Sequence, residues 1–309
     1  MKCNLCPRAC MADRSLGETG YCKMTEEAMV ARVAPHYWEE PCISGETGSG
    51  TVFFSGCNLR CVYCQNAKIA AGGLGKKYSD EELCEEFLSL QEKGCANINL
   101  VTPSHYAVPI IRALKLAKQR GLNVPVVYNT SSYERVETLR MWDGLVDIYL
   151  ADLKYLTPEL AGKYSHAADY PQTATDAIAE MVRQTGGAVY ELKEAAKTTI
   201  SGATEYPDGA MMKRGVIVRH LLLPGYVDEA KKVVSYLVKT YRNTVAVSIM
   251  NQYTPLPHVK AYPELCRKVT EEEYDEVVDY AISIGLEHGF LQEGEAASES
   301  FIPEFSGED

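Results

Sequence analysis

"GCNLRCVYCQN" (residues 56–66) sets three cysteines, Cys57, Cys61 and Cys64, within eight positions at the spacing C-x3-C-x2-C. A structural zinc site takes four protein ligands, and a catalytic one takes three plus water. Cubane iron–sulfur clusters also take four cysteines, so three leave one iron without a protein ligand and open to chemistry. The three cysteines share a segment too short to span different elements. Gly56 lets the apolar run "TVFF" (51–54) turn sharply into that segment. The competing reading, a zinc ion completed by a distant His or Asp, stays open on spacing alone.

Working outward, short apolar runs alternate with amphipathic stretches. "TVFF" is followed by "SDEELCEEFLSLQEKG" (79–94), a helix opened by the capping box Ser79/Glu82, striped by Leu83, Phe87 and Leu90, and ended by Gly94. Further strands are read at "NINLV" (97–101), "VPVVY" (124–128), "VDIYL" (146–150), "GVIVRHLLL" (215–223) and "VAVSIM" (245–250). Between them lie a helix with Ile110, Leu114 and Ala117, one with Val136 and Leu139, a short one entered at Thr157-Pro158, and one over roughly 174–185. Asp228 is read as the cap of a helix with Val234, Leu237 and Val238, and Thr270/Glu273 as the box of the last helix. Six near-continuous apolar strands, most followed by a helix, imply a parallel sheet buried on both faces. Six units are too few for a closed eight-fold barrel. The expected fold is therefore α/β, a partial (β/α)6 TIM-type barrel, with a doubly wound sheet as the alternative. In such a barrel the three cysteines stand at the C-terminal end of the first strand, where active sites collect.

The chain divides into a cysteine-rich segment (1–34), the barrel (35–291) and an acidic tail (292–309). Residues 187–213 are an insertion, expected to be partly helical, longer than a helix–strand connection needs. The first segment holds Cys3, Cys6, Cys10 and Cys22, a C-x2-C-x3-C-x11-C set read as a closed tetrathiolate site for zinc, iron or an auxiliary iron–sulfur cluster, with a structural zinc or mononuclear iron preferred. Of the 11 cysteines, Cys84 and Cys95 are read as buried thiols, and Cys42 as either a functional or a packed one. A formal charge of −11 in a chain that is 46% hydrophobic and 24% charged fits a soluble globular protein and disfavours nucleic-acid partners. No apolar run approaches the roughly 18 residues of a membrane helix and no leader is apparent, so the expected compartment is the cytoplasm, without a membrane partner.

With these residues in hand, the chain resembles the radical S-adenosylmethionine (SAM) superfamily. "EEPCISG", "GTVFFSGCNLRCVYCQN", "DLKY", "VRHLLLPG" and "ESFIP" look like the pyruvate formate-lyase activating enzyme-like group, over residues 35 to 305. The resemblance implies a [4Fe–4S] cluster on Cys57, Cys61 and Cys64, with SAM on the open iron. Reductive cleavage of SAM would give a 5′-deoxyadenosyl radical for hydrogen abstraction, and so an oxidoreductase that activates a glycyl-radical enzyme. Modification of a small molecule, peptide or RNA is the alternative; a non-catalytic iron–sulfur electron carrier is the alternative from a different class. Implied partners are a reductant such as flavodoxin or ferredoxin and a protein substrate.

The resemblance also proposes SAM-binding residues. "VTPSHY" (101–106) stands where activases carry Gly-Gly-Glu-Pro, which nominates Ser104 and His105. Asn129 and Thr130 replace the activases' Asp-Thr, while Asp152, Lys154 and Arg219 match their motifs. Asp152 and Lys154 could instead form a structural ion pair. Asn251 and Gln252 fall where adenine contacts would lie, and His220, on the other strand face, is read as packing.

Overall fold

The computed structural model describes residues 2–192, 199–201 and 209–291. Its strands are β1 (Ala28–His36), β2 (Ser49–Phe54), β3 (Lys76–Tyr78), β4 (Ile98–Val101), β5 (Val126–Thr130), β6 (Ile148–Asp152), β7 (Val189–Leu192), β8 (Thr199–Ser201), β9 (Ala210–Leu221), β10 (Ala246–Met250) and β11 (Gly289–Leu291). The helices are α1 (Pro41–Ser44), α2 (Ala67–Ala70), α3 (Asp80–Glu92), α4 (Ala107–Gln119), α5 (Val136–Leu139), α6 (Pro158–Ser165), α7 (Tyr170–Thr185), α8 (Val227–Tyr241) and α9 (Glu271–Ser283).

The six expected strands are all present, as β2, β4, β5, β6, β9 and β10, and they neighbour one another in that order, all parallel. β11 extends the parallel run at one edge, whereas β1 and β3 close the other edge antiparallel. The path from β11 to β3 is open rather than a closed ring. Every residue of β2, β4 and β5 is buried, as expected of parallel strands covered on both faces.

The helices supply that cover. In α3 the Ser79/Glu82 capping box forms in full, a contribution of about 1 kcal/mol. Leu83, Cys84, Phe87 and Leu90 are wholly buried, each large side chain contributing roughly 1.5–3 kcal/mol. The Thr270/Glu273 box of α9 also forms. Two local expectations are corrected. Asp228 lies in the first turn of α8, which starts after Tyr226; a carboxylate one turn in still faces the positive end of the helix. The described part of 187–213 is extended rather than helical: β7 pairs antiparallel with β8 and with a lengthened β9. β-branched and aromatic residues there find sheet partners, which override the weak local helical pattern. The tail from 292 onward lies outside the described residues.

Residues 2–24 form a compact knuckle. Lys2 bridges to Asp13, Met11 N–H donates to the Cys3 carbonyl, and Cys3 N–H to that of Ala12. Among the described residues, no helix is long and apolar enough to cross a membrane.

Candidate active site at the cysteine loop

The loop after β2 carries Cys57, Cys61 and Cys64 to one end of a cavity of about 540 Å³, and all three line it. Gly56 turns the chain with φ +86°; a Cβ there would stand 2.5 Å from Met24 Cγ and 2.8 Å from the Cys22 carbonyl, so only glycine fits. The loop is tied down on several sides. Asn58 Nδ2 donates to the Tyr133 carbonyl at 2.7 Å, Val62 N–H to that of Tyr164 at 2.8 Å, and Gln65 Nε2 to that of Gln252 at 3.1 Å. The Cys61 sulfur lies 2.9 Å from Ser165 Oγ, and the Tyr63 and Tyr155 hydroxyls meet at 2.6 Å beneath it.

Burial, then the neighbouring thiols of Cys61 and Cys57, push the Cys64 thiol up to about 12. Burial likewise raises Cys61, with nearby Lys154 opposing. A bound metal reverses this, because a coordinating thiol is deprotonated outright. Among the described residues no three Cys, His, Asp or Glu are gathered as ligands of a single ion. A cubane spreads its thiolates over separate irons, so its ligands need not meet at one point.

Along the same cavity, charged residues from β6, β9 and the segments after β6 and before α1 interlock. Arg219 on β9 donates to Asp152 at 3.0 Å, to Glu39 at 3.0 Å and to Asn129 Oδ1 at 2.6 Å. Lys154 Nζ stands 2.7 Å from the other Asp152 oxygen, and Glu39 also accepts from Asn99 at 3.0 Å and Asn129 at 3.1 Å. Burial alone would push the Asp152 carboxyl up, yet Lys154 and Arg219 outweigh it and hold it below the usual carboxylate range. Burial opposes the Lys154 charge too, and Asp152 more than restores it. The interstrand ion pair weighed from sequence is therefore present, and its members also face the cavity. Glu39 and Glu40 open the stretch "EEPCISG" that carries part of the resemblance, but were not nominated as site residues, and adjacent glutamates ordinarily read as solvated. The α1 entry segment instead turns both into the cavity wall, where burial raises Glu40 and Arg219 opposes.

Of the nominated residues, Asn129, Thr130, Asp152, Lys154, Arg219 and Gln252 line the cavity with the three cysteines. Ser104 and His105 do not. Both are about 1% exposed and turn behind the wall, Ser104 to Glu134 and His105 Nε2 to the Ser55 carbonyl at 2.8 Å. A short 3-10 turn after β4 rotates them inward, so His105 braces the residue before Gly56. His220 packs as expected, its Nδ1 2.8 Å from the Leu153 carbonyl. Cys42, Cys84 and Cys95 are core thiols. Two non-glycine residues at the strand ends, Thr102 and Ser132, are left-handed (φ +60° and +62°), a strain of about 1–3 kcal/mol each that tends to mark functional loops.

The Radical SAM superfamily sequence model matches residues 51–237, more than half of the chain. This chain belongs to the radical SAM superfamily. An uncharacterized protein of Methanocaldococcus jannaschii is 26% identical over 295 residues, covering 92% of this chain and 75% of its own length. Among solved structures, Streptococcus suis SuiB bound to its precursor peptide SuiA superimposes with a TM-score of 0.51 at 12% identity, covering 81% of this chain. SuiB bound to S-adenosylmethionine gives a TM-score of 0.50 at 12% identity over the same share. This chain spans about half (51%) of the SuiB chains, and at that identity the likeness concerns the fold.

Radical SAM membership implies a [4Fe–4S] cluster and SAM, and the residues present fit both. Three thiols border one cavity, and the buried Asn66 Oδ1 beside Cys64 has no protein partner. A paired but cavity-facing Asp152–Lys154–Arg219 set offers both charges to a zwitterionic ligand.

Proposed function

We propose that this chain is a SAM-cleaving, hydrogen-abstracting enzyme. Cys57, Cys61 and Cys64 would hold the [4Fe–4S] cluster, and Asn129, Thr130, Asp152, Lys154, Arg219 and Gln252 would hold SAM. When bound, the pair supplies a 5′-deoxyadenosyl radical. The protein's part is positional. Lys154, kept charged by Asp152, suits a carboxylate; Asp152 and Glu39 fix the Arg219 guanidinium; the Tyr63–Tyr155 pair packs the underside of the loop against water. The observation that carries the reading is the opening of all three thiols onto the one cavity that also holds this charged set.

The sequence stretches shared with the activase-like group support a glycyl-radical enzyme as the substrate. A peptide is the second reading, because SuiB, of similar fold, is bound to a precursor peptide. A low-potential electron donor is required in either case.

The test is anaerobic. The protein is reconstituted with iron and sulfide, reduced with dithionite and given SAM, and 5′-deoxyadenosine is read by mass spectrometry beside Cys61→Ala. Product that depends on Cys61 is expected. A full, reducible cluster that yields none would return the chain to the electron-carrier reading.

A further inference from the structure

Beyond the cysteines and the nominated SAM set, the cavity wall includes His36, Trp38, Glu40, Phe53, Ser248 and Phe290. These six are linked to one another. Glu40 and Ser248 share a side-chain hydrogen bond, and Ser248 on β10 stands opposite Phe290 on β11 in the strand register. The His36 and Phe53 rings meet edge to face at 6.2 Å, and Trp38 lies between His36 and Glu40 in the chain. Trp38 is 59% exposed, which puts it at the rim. The Glu40 backbone is pinned. Its carbonyl accepts from the Ile43 and Ser44 N–H groups at 2.7 and 3.1 Å, and Pro41 fixes the first position of α1.

Glu40 has no counter-charge of its own. It is 9% exposed, and its Oε2 is buried without a hydrogen-bond partner. Buried polar atoms are nearly always paired, and a lone buried charge is costlier still. Among the described residues, the Lys and Arg side chains that line the cavity are Lys154 and Arg219. Lys154 is held by Asp152, and the three Arg219 nitrogens go to Asp152, Glu39 and Asn129. Against these two cations stand the carboxylates of Glu39, Glu40 and Asp152, 3 − 2 = 1 in excess. His36 does not balance it, because burial first and Arg32 second lower its imidazole. Nor does the segment after Leu291, another lining residue, since residues 292–309 contain no Lys, Arg or His.

We infer that Glu40, beside the Trp38, Phe53 and Phe290 rings, is the substrate-recognition residue of this cavity, and that the substrate presents to it an alkyl chain ending in an ammonium or guanidinium group. The carboxylate answers the charge with a charge-assisted hydrogen bond, and aromatic faces attract cations through their ring quadrupoles. The apolar rings also suit the alkyl chain, which carries the C–H bonds that the proposed reaction attacks. At about 540 Å³ the cavity is of small-molecule size, so what joins SAM in it is a side chain or a small amine. The inference rests on the proposed reaction for the hydrogen taken from that chain, and not for the binding itself.

The test is binding, measured by calorimetry on the full chain reconstituted with iron and sulfide, left unreduced and supplied with SAM. The cationic probes are the Nα-acetyl methylamides of lysine and arginine, with n-butylamine for a free amine; the neutral probe is Nα-acetyl-norleucine methylamide. The best cation should bind at least about 10-fold tighter than norleucine. A capped amino acid as the best probe assigns a peptide side chain, and n-butylamine a free amine. Equal affinity for charged and neutral probes, or no cation bound at about 10 mM, overturns the inference. So does competition by SAM for the cation, which would give Glu40 to SAM. Glu40→Gln should weaken the cation at least about 10-fold and leave norleucine within about 2-fold; a folded variant that keeps its cation affinity overturns the assignment. Trp38→Leu, at the exposed rim, should weaken the cation about 3- to 10-fold and decides the matter if Glu40→Gln does not fold, an unchanged affinity overturning it. Because nothing is reduced in these mixtures, 5′-deoxyadenosine formed with dithionite tests the reaction separately.

Discussion

The two cysteine groups lie on neighbouring segments, yet their settings differ. Cys57, Cys61 and Cys64 border a cavity lined by charged residues from several strand ends, whereas Cys3, Cys6, Cys10 and Cys22 are not among its lining residues, and Cys10 is exposed. Three ligands leave a position for a substrate and four close the coordination sphere. In the proposed reading, the difference separates a site that does chemistry from one that holds structure. It predicts unequal consequences for substitutions of the same chemical size.

The largest effect should come from Cys61→Ala. It should remove about four irons per chain and lower dithionite-driven 5′-deoxyadenosine at least about 100-fold, as read by iron analysis and mass spectrometry. Cys10→Ser should leave that product within about 2-fold. Comparable losses in the two variants would erase the distinction between the groups.

Next is the support under the cavity-facing group. Asp152→Asn leaves Lys154 and Arg219 as buried cations with one fewer counter-charge, a loss of roughly 3–5 kcal/mol. A fall in Tm of about 10 °C is expected by calorimetry. Glu82→Gln, which breaks the exposed pair with Lys76 at 3.1 Å but also weakens the α3 capping box, should lower Tm by much less than Asp152→Asn does.

Much of this was legible before any coordinates. The parallel strands announce themselves because a strand covered on both faces must be apolar at nearly every position, as in the stretches that became β4 and β10. The cysteine spacing pointed to the superfamily whose sequence model matches residues 51–237. Other features were hidden for physical reasons. Glu39 and Glu40 look like surface residues, and only Arg219, 180 positions away, together with the enclosing wall makes them interior. Ser104 and His105 follow a strand end correctly, but a single tight turn decides which way they point, and local sequence does not encode that rotation. β1 alternates as an edge strand does, next to a cysteine segment that drew attention away from it. The hairpin of β7 and β8 depends on pairing with β9, a tertiary contact that propensity does not see.

A third test falls on the boundary between the groups. Glu134 accepts from Thr130 at 2.6 Å and from Ser104, while its charge raises Cys6 on the other side. Burial pushes its carboxyl from 4.5 up to about 7 against the hydrogen bonds of Ser104, Thr130 and Tyr128. A raised folded pKa means that the folded form holds its proton more tightly. This contribution is complete below pH 4.5, declines as pH rises, and is gone above about 7, a loss of roughly 3 kcal/mol. Glu134→Gln should therefore flatten the decline in Tm between pH 5 and 8. An unchanged slope would show that Glu134 is ionised throughout and does not couple the two sides.

The smallest effect is expected at Ser165, whose hydroxyl reaches only the Cys61 sulfur and the Tyr155 hydroxyl, at 2.9 and 3.3 Å. Ser165→Ala should keep the iron and lower the midpoint potential of the Cys57 cluster by less than about 50 mV, because hydrogen bonds to sulfur stabilise the reduced state. A loss of iron instead would make this contact part of the binding site itself.

The Glu39–Arg219 pair carries a consequence for biosynthesis. Its partners are 180 residues apart, so at 5–20 residues per second the ribosome delivers the guanidinium roughly 10–40 s after the carboxylate. Throughout that interval the three cysteines of the first loop have already been made, while the cavity floor that will enclose their ligands has not. For the proposed cluster this means that, until β9 docks, the thiols stand open to iron and sulfide donors on the nascent chain.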